Sequence, residues 1–239
     1  MKIHEFNTPA QLLAGVKQTD YKSAANDFLS NGKREAWAGV TGISQYNEYL
    51  TKGYAPAVVE LSEEITRSTG QGCEFTPSVS GIFYDVAAFN EGRPECMAQF
   101  VPAEENKFKT IFIEASTPST FNGADLMKAA RAVYTAVSQL ELTGTRCKIV
   151  LAVSVQMRSG DHQCKLLVKG HEDPFISGYH GLLLGNHGTV RGAMYAYLST
   201  LTKVTSIGSP LEASDPQADV NVSLRNDSPD RIIKKILQG

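Results

Sequence analysis

The 239-residue chain is 42% hydrophobic and 20% charged, a balance that excludes wholesale disorder and supports one substantial core. Its formal net charge of −2 excludes a whole-molecule electrostatic grip on nucleic acid or an anionic membrane, so any such grip needs a local patch. No apolar run reaches the roughly 18–20 residues that cross a bilayer, so no membrane partner is expected. The opening Met1–Phe6 lacks the apolar stretch of a secretory signal. Cys73, Cys96, Cys147 and Cys164 are widely spaced and read as free thiols. The expected compartment is the cytoplasm.

In chain order, the residues through Phe6 read as a short strand. Thr8-Pro9 supplies an N-cap and a first-turn proline for a helix through about Gln18. Ser23–Leu29 reads as a second helix ending at Asn31-Gly32, and Ser44–Lys52 as a third that stops at Gly53. From Pro56 to Gly70, Val58, Val59, Leu61 and Ile65 outline an amphipathic helix. Lys109–Ala115 is a β-rich run. Asn122–Leu142 has the clearest helical period, with Leu126, Ala130, Val133, Val137 and Leu140 on one face and Gly144 as the stop. Arg146–Met157 then reads as a long strand, which predicts a right-handed βαβ crossover with parallel strands.

After a loop at Arg158–Asp161, a further strand runs through Lys169. Antiparallel pairing of Val155 with Cys164, Val153 with Leu166 and Leu151 with Val168 sorts apolar from polar side chains; a one-residue slip mixes them. That register sets Gln156 opposite Gln163, Ser154 opposite Lys165 and Val150 opposite Lys169. Helices follow near Ile176–Leu184 and Thr189–Leu201. Ser206–Asp219 reads as a linker, Val220–Leu224 as a short strand, and Ser228-Pro229-Asp230 as the cap of a terminal helix. Ile232, Ile233, Ile236 and Leu237 lie on one side of that helix and form the expected docking or oligomerisation face. The fold class is α+β (mixed α/β): a mixed sheet with a βαβ unit and an antiparallel hairpin, flanked by helices. The expected division is a core domain over residues 1–205 and a linker with a helical tail over residues 206–239.

The chain has none of the usual catalytic or metal motifs. Its histidines include no H-x-H or H-E-x-x-H pattern, and there is no G-x-S-x-G elbow and no G-x-x-x-x-G-K-[ST] phosphate loop. No enzyme activity, metal or cofactor is therefore expected. Gly185–Thr189 precedes a helix and reads as a helix–helix turn, with anion binding as the rival. Glu114-Ala115-Ser116-Thr117-Pro118-Ser119 resembles a degenerate form of the D-x-S-x-S magnesium site of von Willebrand A domains, with Glu in place of Asp and the second serine displaced by one. As residues alone it reads as a turn with a helix cap. Lys148, Lys165 and Lys169 share the polar hairpin face, with Arg158 in the loop and Lys107-Phe108-Lys109 on a nearby strand. Such a face would track phosphates while Trp37, Tyr84 or Phe108 stacks on bases; the bland alternative is a lysine-studded sheet edge that prevents aggregation.

Gly81–Val86 (GIFYDV) and Gly92–Met97 (GRPECM) resemble a family of phage-encoded proteins without an assigned activity. Trp37-Ala38-Gly39, Leu140-Glu141, Gly144, Arg146, Val168-Lys169 and Arg191 extend the resemblance to about residue 200. The chain is also similar to the Drc-like early single-stranded DNA-binding proteins of lytic podophages. That resemblance implies a homo-tetramer in the infected host cytoplasm that coats single-stranded DNA and recruits a phage RNA polymerase to its template. Two other classes remain as alternatives: a von Willebrand A-like protein-interaction module, and a phage inhibitor of a host protein.

Overall fold

The computed structural model describes residues 1–31, 38–68, 76–78, 83–84, 97–99, 107–117, 121–157, 159–201 and 209–239. The first part of the chain gives β1 (Lys2–Phe6), α1 (Pro9–Gly15), α2 (Ala24–Leu29), α3 (Ile43–Lys52), α4 (Ala55–Ser68) and three short strands, β2 (Thr76–Ser78), β3 (Phe83–Tyr84) and β4 (Met97–Gln99). The second part gives β5 (Lys107–Glu114), α5 (Gly123–Leu142), β6 (Thr145–Met157), β7 (Gly160–Lys169) and α6 (Ser177–Gly185). A π-helical segment (Gly188–Met194) leads into α7 (Tyr195–Thr200), followed by β8 (Ser209–Pro210), β9 (Val220–Ser223) and α8 (Pro229–Gln238). No described helix is long and apolar enough to cross a membrane.

The main sheet has the order β1-β7-β6-β5-β9, with β8 pairing the far end of β6; β2, β4 and β3 form a separate small sheet. β5 is parallel to β6 and to β9, β1 is parallel to β7, and β6 and β7 are an antiparallel hairpin. The expected mixed sheet with a βαβ unit and a hairpin is therefore the observed one. Local chemistry explains the boundaries. Thr8, Ser23 and Ser228 accept backbone N–H groups at the starts of α1, α2 and α8. Asn122 and Asp125 form a reciprocal capping box at α5. Gly53 and Gly144, the two expected stops, both have positive φ, a backbone region that glycine enters without steric cost.

One face of the main sheet carries the core. Leu126, Ala130, Val133 and Val137 of α5 are buried with Ile111, Ile113, Ile149 and Leu151 of the strands, as the helical period requires. α6 and the π-helical segment are buried nearly all round, so their apolar residues show no single stripe. In α4 the expected stripe is rotated: Ala57 and Leu61 are buried, whereas Val58 and Val59 are exposed. The side chain of Ile65 lies outside the described residues.

One expectation is corrected. The hairpin pairs Val155 with His162, Val153 with Cys164 and Leu151 with Leu166, two residues away from the register that face-sorting favoured. A two-residue slip keeps every side chain on its own face, so sorting distinguishes only odd slips. The two-residue connection between Met157 and Gly160 sets the true register, with Gly160 at φ 107°. In residues 206–239 the expected strand and the expected docking helix are both present. Val220–Ser223 is an edge strand of the main sheet, and α8 packs on α5, burying Ile232 and Ile236 completely. The tail thus contributes to the core through the apolar face expected to dock. Truncating Ile236 to Ala should lower stability by about 2–4 kcal/mol in urea unfolding, in one transition; a loss under about 0.5 kcal/mol, typical of surface sites, would show the helix to be dispensable.

Candidate nucleic-acid interface

The pleat of β5, β6 and β7 decides which side chains share the sheet face opposite the core. Phe108, Thr110 and Phe112 stand on β5, beside Arg146, Lys148 and Val150 on β6, because the parallel register pairs them in that order. Lys165 and Leu167 continue the face on β7, opposite Ala152 and Val150, and Glu5 joins it from β1 opposite Lys165. The segment 211–219 crosses this face. Leu211 N donates to the Ser154 carbonyl, and Asp219 closes on Thr110 by two hydrogen bonds of 3.0 and 2.6 Å. Toward the Ser154 end, Phe112 and Ala152 are buried; toward the other end, Phe108 is 55% exposed and Arg146 is exposed as well. Between the strap and the strands lies a groove of about 400 Å³, lined by Glu5, Thr110, Lys148, Lys165, Asp215 and Gln217 among others.

Its charges are not one-sided. Lys165 Nζ lies 2.7 Å from Asp215 Oδ2, 3.6 Å from Glu5 Oε1 and 5.7 Å from the Phe112 ring centre. Partial burial pushes the Asp215 carboxyl up, but the Lys165 hydrogen bond, the Gln217 N–H and the charges of Lys165 and Lys148 together hold it below its ordinary value. Asp215 is itself fixed to Asn221, whose side chain accepts its N–H and donates to its carbonyl. The acids of this face arrive from β1 and from segment 211–219, far away in sequence.

The expected site residues divide as follows. Phe108, Lys148 and Lys165 share the open face. Lys107 and Lys109 alternate to the opposite side, where Lys109 Nζ donates to the Ile236 carbonyl at 3.1 Å. Lys169 is buried, and its expected place on the polar face is corrected. A β-bulge between Ile149 and Val150 sets it opposite Ile149, and its ammonium lies 2.6 Å from Glu141 and donates to the carbonyls of Cys147 and Gly170. Trp37 and Arg158 lie outside the described residues, as does the side chain of Tyr84. Of the terminal set, Ile232 and Ile236 are consumed by the core, leaving half-buried Ile233 and exposed Leu237 for a neighbour. Sequence reasoning passed over Arg146 as a contact, although its two-residue spacing from Lys148 puts both on one face.

The two weaker motifs are closed on themselves. In the Gly185–Thr189 turn, Asn186 Oδ1 accepts the Gly188 N–H, and a Cβ added to Gly188 would lie 2.7 Å from Val40 Cγ1. In the von Willebrand-like stretch, Glu114 Oε1 accepts the Ser116 N–H and Oε2 accepts the Ser154 hydroxyl, which in turn takes a hydrogen bond from Gln163. Ser119 lies outside the described residues. Among the described residues, no three His, Cys, Asp or Glu side chains gather as metal ligands would. Cys147 and Cys164 are free and buried, as expected; Cys73 and Cys96 lie outside the described residues.

The architecture is thus that of a mixed α/β protein in which, among the described residues, helices cover one face of the main sheet and segment 211–219 crosses the other. Residues 4–229 match the family described as a domain of unknown function, DUF7192, and the chain belongs to that family. No curated protein and no solved structure matches it.

Burial raises the Glu114 carboxyl from 4.5 to about 7, against the opposing hydrogen bonds of Ser116 and Ser154. The unfolded chain releases this proton first, so the group's stabilisation is complete below pH 4.5 and is lost as pH rises to about 7. The expected loss across that window is roughly 3 kcal/mol, read from urea unfolding at several pH values. Glu114→Gln should flatten the profile; an unchanged slope in the variant would assign it to another group.

Proposed function

We propose that the chain binds single-stranded DNA on the open half of the main sheet, as a phage protein of the kind its sequence resembles. The observation that carries this reading is the Phe108 ring, which stays 55% exposed beside the edge-on His171 ring and shares its sheet face with Arg146 and Lys148. An aromatic on a sheet gives a base a flat surface to stack on, and flanking cations hold the phosphates on either side. The resemblance alone supports the remainder of the reading: assembly as a homo-tetramer and recruitment of a phage RNA polymerase to its template. Copies bound along one strand would add avidity to a weak single site.

The small number of uncommitted cations sets the expected salt dependence. Neutralising two or three phosphates of a single strand gives a log–log salt slope of about −1.5 to −2. Fluorescence anisotropy with labelled single-stranded and duplex oligonucleotides, at roughly 50 and 200 mM salt, should show a preference for the single strand. Phe108→Ala should cost about 1–3 kcal/mol of binding energy. No binding to either oligonucleotide at micromolar protein would refute the proposal.

Asp215 gives a change of opposite sign. Its carboxylate occupies the Lys165 ammonium from within the groove, in the position a phosphate oxygen would take. Asp215→Asn should therefore tighten single-strand binding and steepen the salt slope by about 0.7, because one more cation becomes available. Equal affinity and slope in a folded variant would mean that Lys165 plays no part in binding.

A further inference from the structure

Two of the five histidines, unremarkable by spacing, meet where β1 joins the sheet. The parallel register sets Lys2 beside His162 and His4 beside Cys164, so the imidazoles of His4 and His162 approach across one diagonal. His4 Nε2 and His162 Nδ1 are 3.2 Å apart, the ring centres are 5.5 Å apart, and the planes differ by 4°. Together these values place the rings end to end in nearly one plane. The contact is therefore an N–H···N hydrogen bond, in which one nitrogen donates and the other accepts.

The line of contacts continues beyond each ring. Tyr197 Oη lies 3.0 Å from His4 Nδ1, and Ser159 Oγ lies 3.1 Å from His162 Nε2. Each neutral ring has one N–H, so the line runs in one of two directions. In one of them Ser159 donates to His162 Nε2, His162 Nδ1–H donates to His4, and His4 Nδ1–H donates to Tyr197. That direction gives a hydroxyl, a base and a group that orients the base, the arrangement that activates a serine. Burial, then the Lys2 charge, lowers the His4 pKa. Burial, His4 and Lys2 lower that of His162 against the pull of Asp161. Both rings are thus biased toward the neutral form a base requires. Ser159 is exposed in the hairpin connection, and a Cβ added to the adjacent Gly160 would meet nothing within 4 Å, so a reagent has access to Oγ.

We propose that Ser159 is a nucleophile that takes an acyl or phosphonyl group from an activated ester or fluoride, with His162 as its base and His4 as a positioning residue. For an ester, Ser159 Oγ bonds to the carbonyl carbon as its proton passes to His162 Nε2. The bond from that carbon to the leaving oxygen then breaks, and the leaving oxygen takes the proton from Nε2. Water attacks the acyl-serine in the same way, giving the acid and restoring the hydroxyl. While His162 is protonated, its Nδ1–H donates to His4 Nε2. The positive charge of Lys2, which acts on His162, favours the negative oxygen formed during attack.

The test uses the full chain, a fluorophosphonate probe, p-nitrophenyl acetate and peptide mapping by mass spectrometry. The expected result is a single phosphonyl adduct on Ser159, absent in Ser159→Ala. His162→Gln should slow its formation at least about 100-fold, the range a positioned base contributes. Because His162 is buried, a second measurement guards against simple unfolding: in the unmutated protein the labelling rate should rise with pH through one midpoint in the histidine range. His4→Gln should move that midpoint, and Ser159→Cys should restore acylation by p-nitrophenyl acetate. No adduct, an adduct elsewhere, a rate that ignores pH, or a folded His162→Gln protein that labels at the original rate would each overturn the proposal.

Discussion

The pairing of β6 on both sides is the constraint on which the rest of the structure depends. β6 is parallel to β5 over Thr145–Ala152 on one edge and antiparallel to β7 over Ile149–Met157 on the other, and the pleat sends alternate side chains to opposite faces. Cys147, Ile149, Leu151, Val153 and Val155 all enter the core, which α5, α6 and the π-helical segment then cover. Arg146, Lys148 and Val150 are committed by the same pleat to the other face. A core residue and a residue of the opposite face are therefore neighbours in sequence along this strand. No single-residue slip of β6 preserves either face.

The same geometry explains what was legible beforehand. Signals carried within one turn of chain were readable: the caps at Thr8, Ser23, Asn122 and Ser228, the stops at Gly53 and Gly144, and the Leu126–Leu140 stripe of α5. The two-fold alternation of β6 and β7 was readable too, and it named Lys148 and Lys165 correctly as companions. The partners supplied by distant segments were hidden. Asp215 and Glu5, which share Lys165, are 50 and 160 residues away from it in the chain. Lys169 looked like the next rung of a regular ladder, yet one bulge turns it to Glu141 at the end of α5. The meeting of His4 with His162 depends on a parallel edge pairing that no local pattern announces.

The two lysines of β7 illustrate how burial separates chemically identical groups. Lys169 has no exposed side-chain surface, and its charge is held by Glu141 and two backbone carbonyls. Removing a partner from a buried ion pair strands the other charge, which makes such a pair costly to break even where its net contribution to stability is small. Lys169 is accordingly a structural residue that fastens the end of β7 to the end of α5. Lys165 is partly open to the groove, paired with one well-held carboxylate and one exposed one. Solvent screening weakens the pair with the exposed Glu5, so that partner is exchangeable where Glu141 is not.

This difference bears on how an open sheet face on a chain of net charge −2 would hold a polyanion. Charge alone is a poor candidate, because Glu5 and Asp215 offset Lys165 and Lys148 within the groove. The further contributions are the Arg146 charge and the apolar area of Phe108, both exposed near the start of β5 and β6. Stacking on an aromatic is worth about 1–3 kcal/mol per base, and it is indifferent to sequence because every base has a flat face. A phosphate contact to one exposed cation is smaller and fades with salt. Binding on this face would then be led by the ring and only steered by the cations. Phe108, not the lysine cluster that first drew attention to the hairpin, is the residue on which the nucleic-acid reading rests.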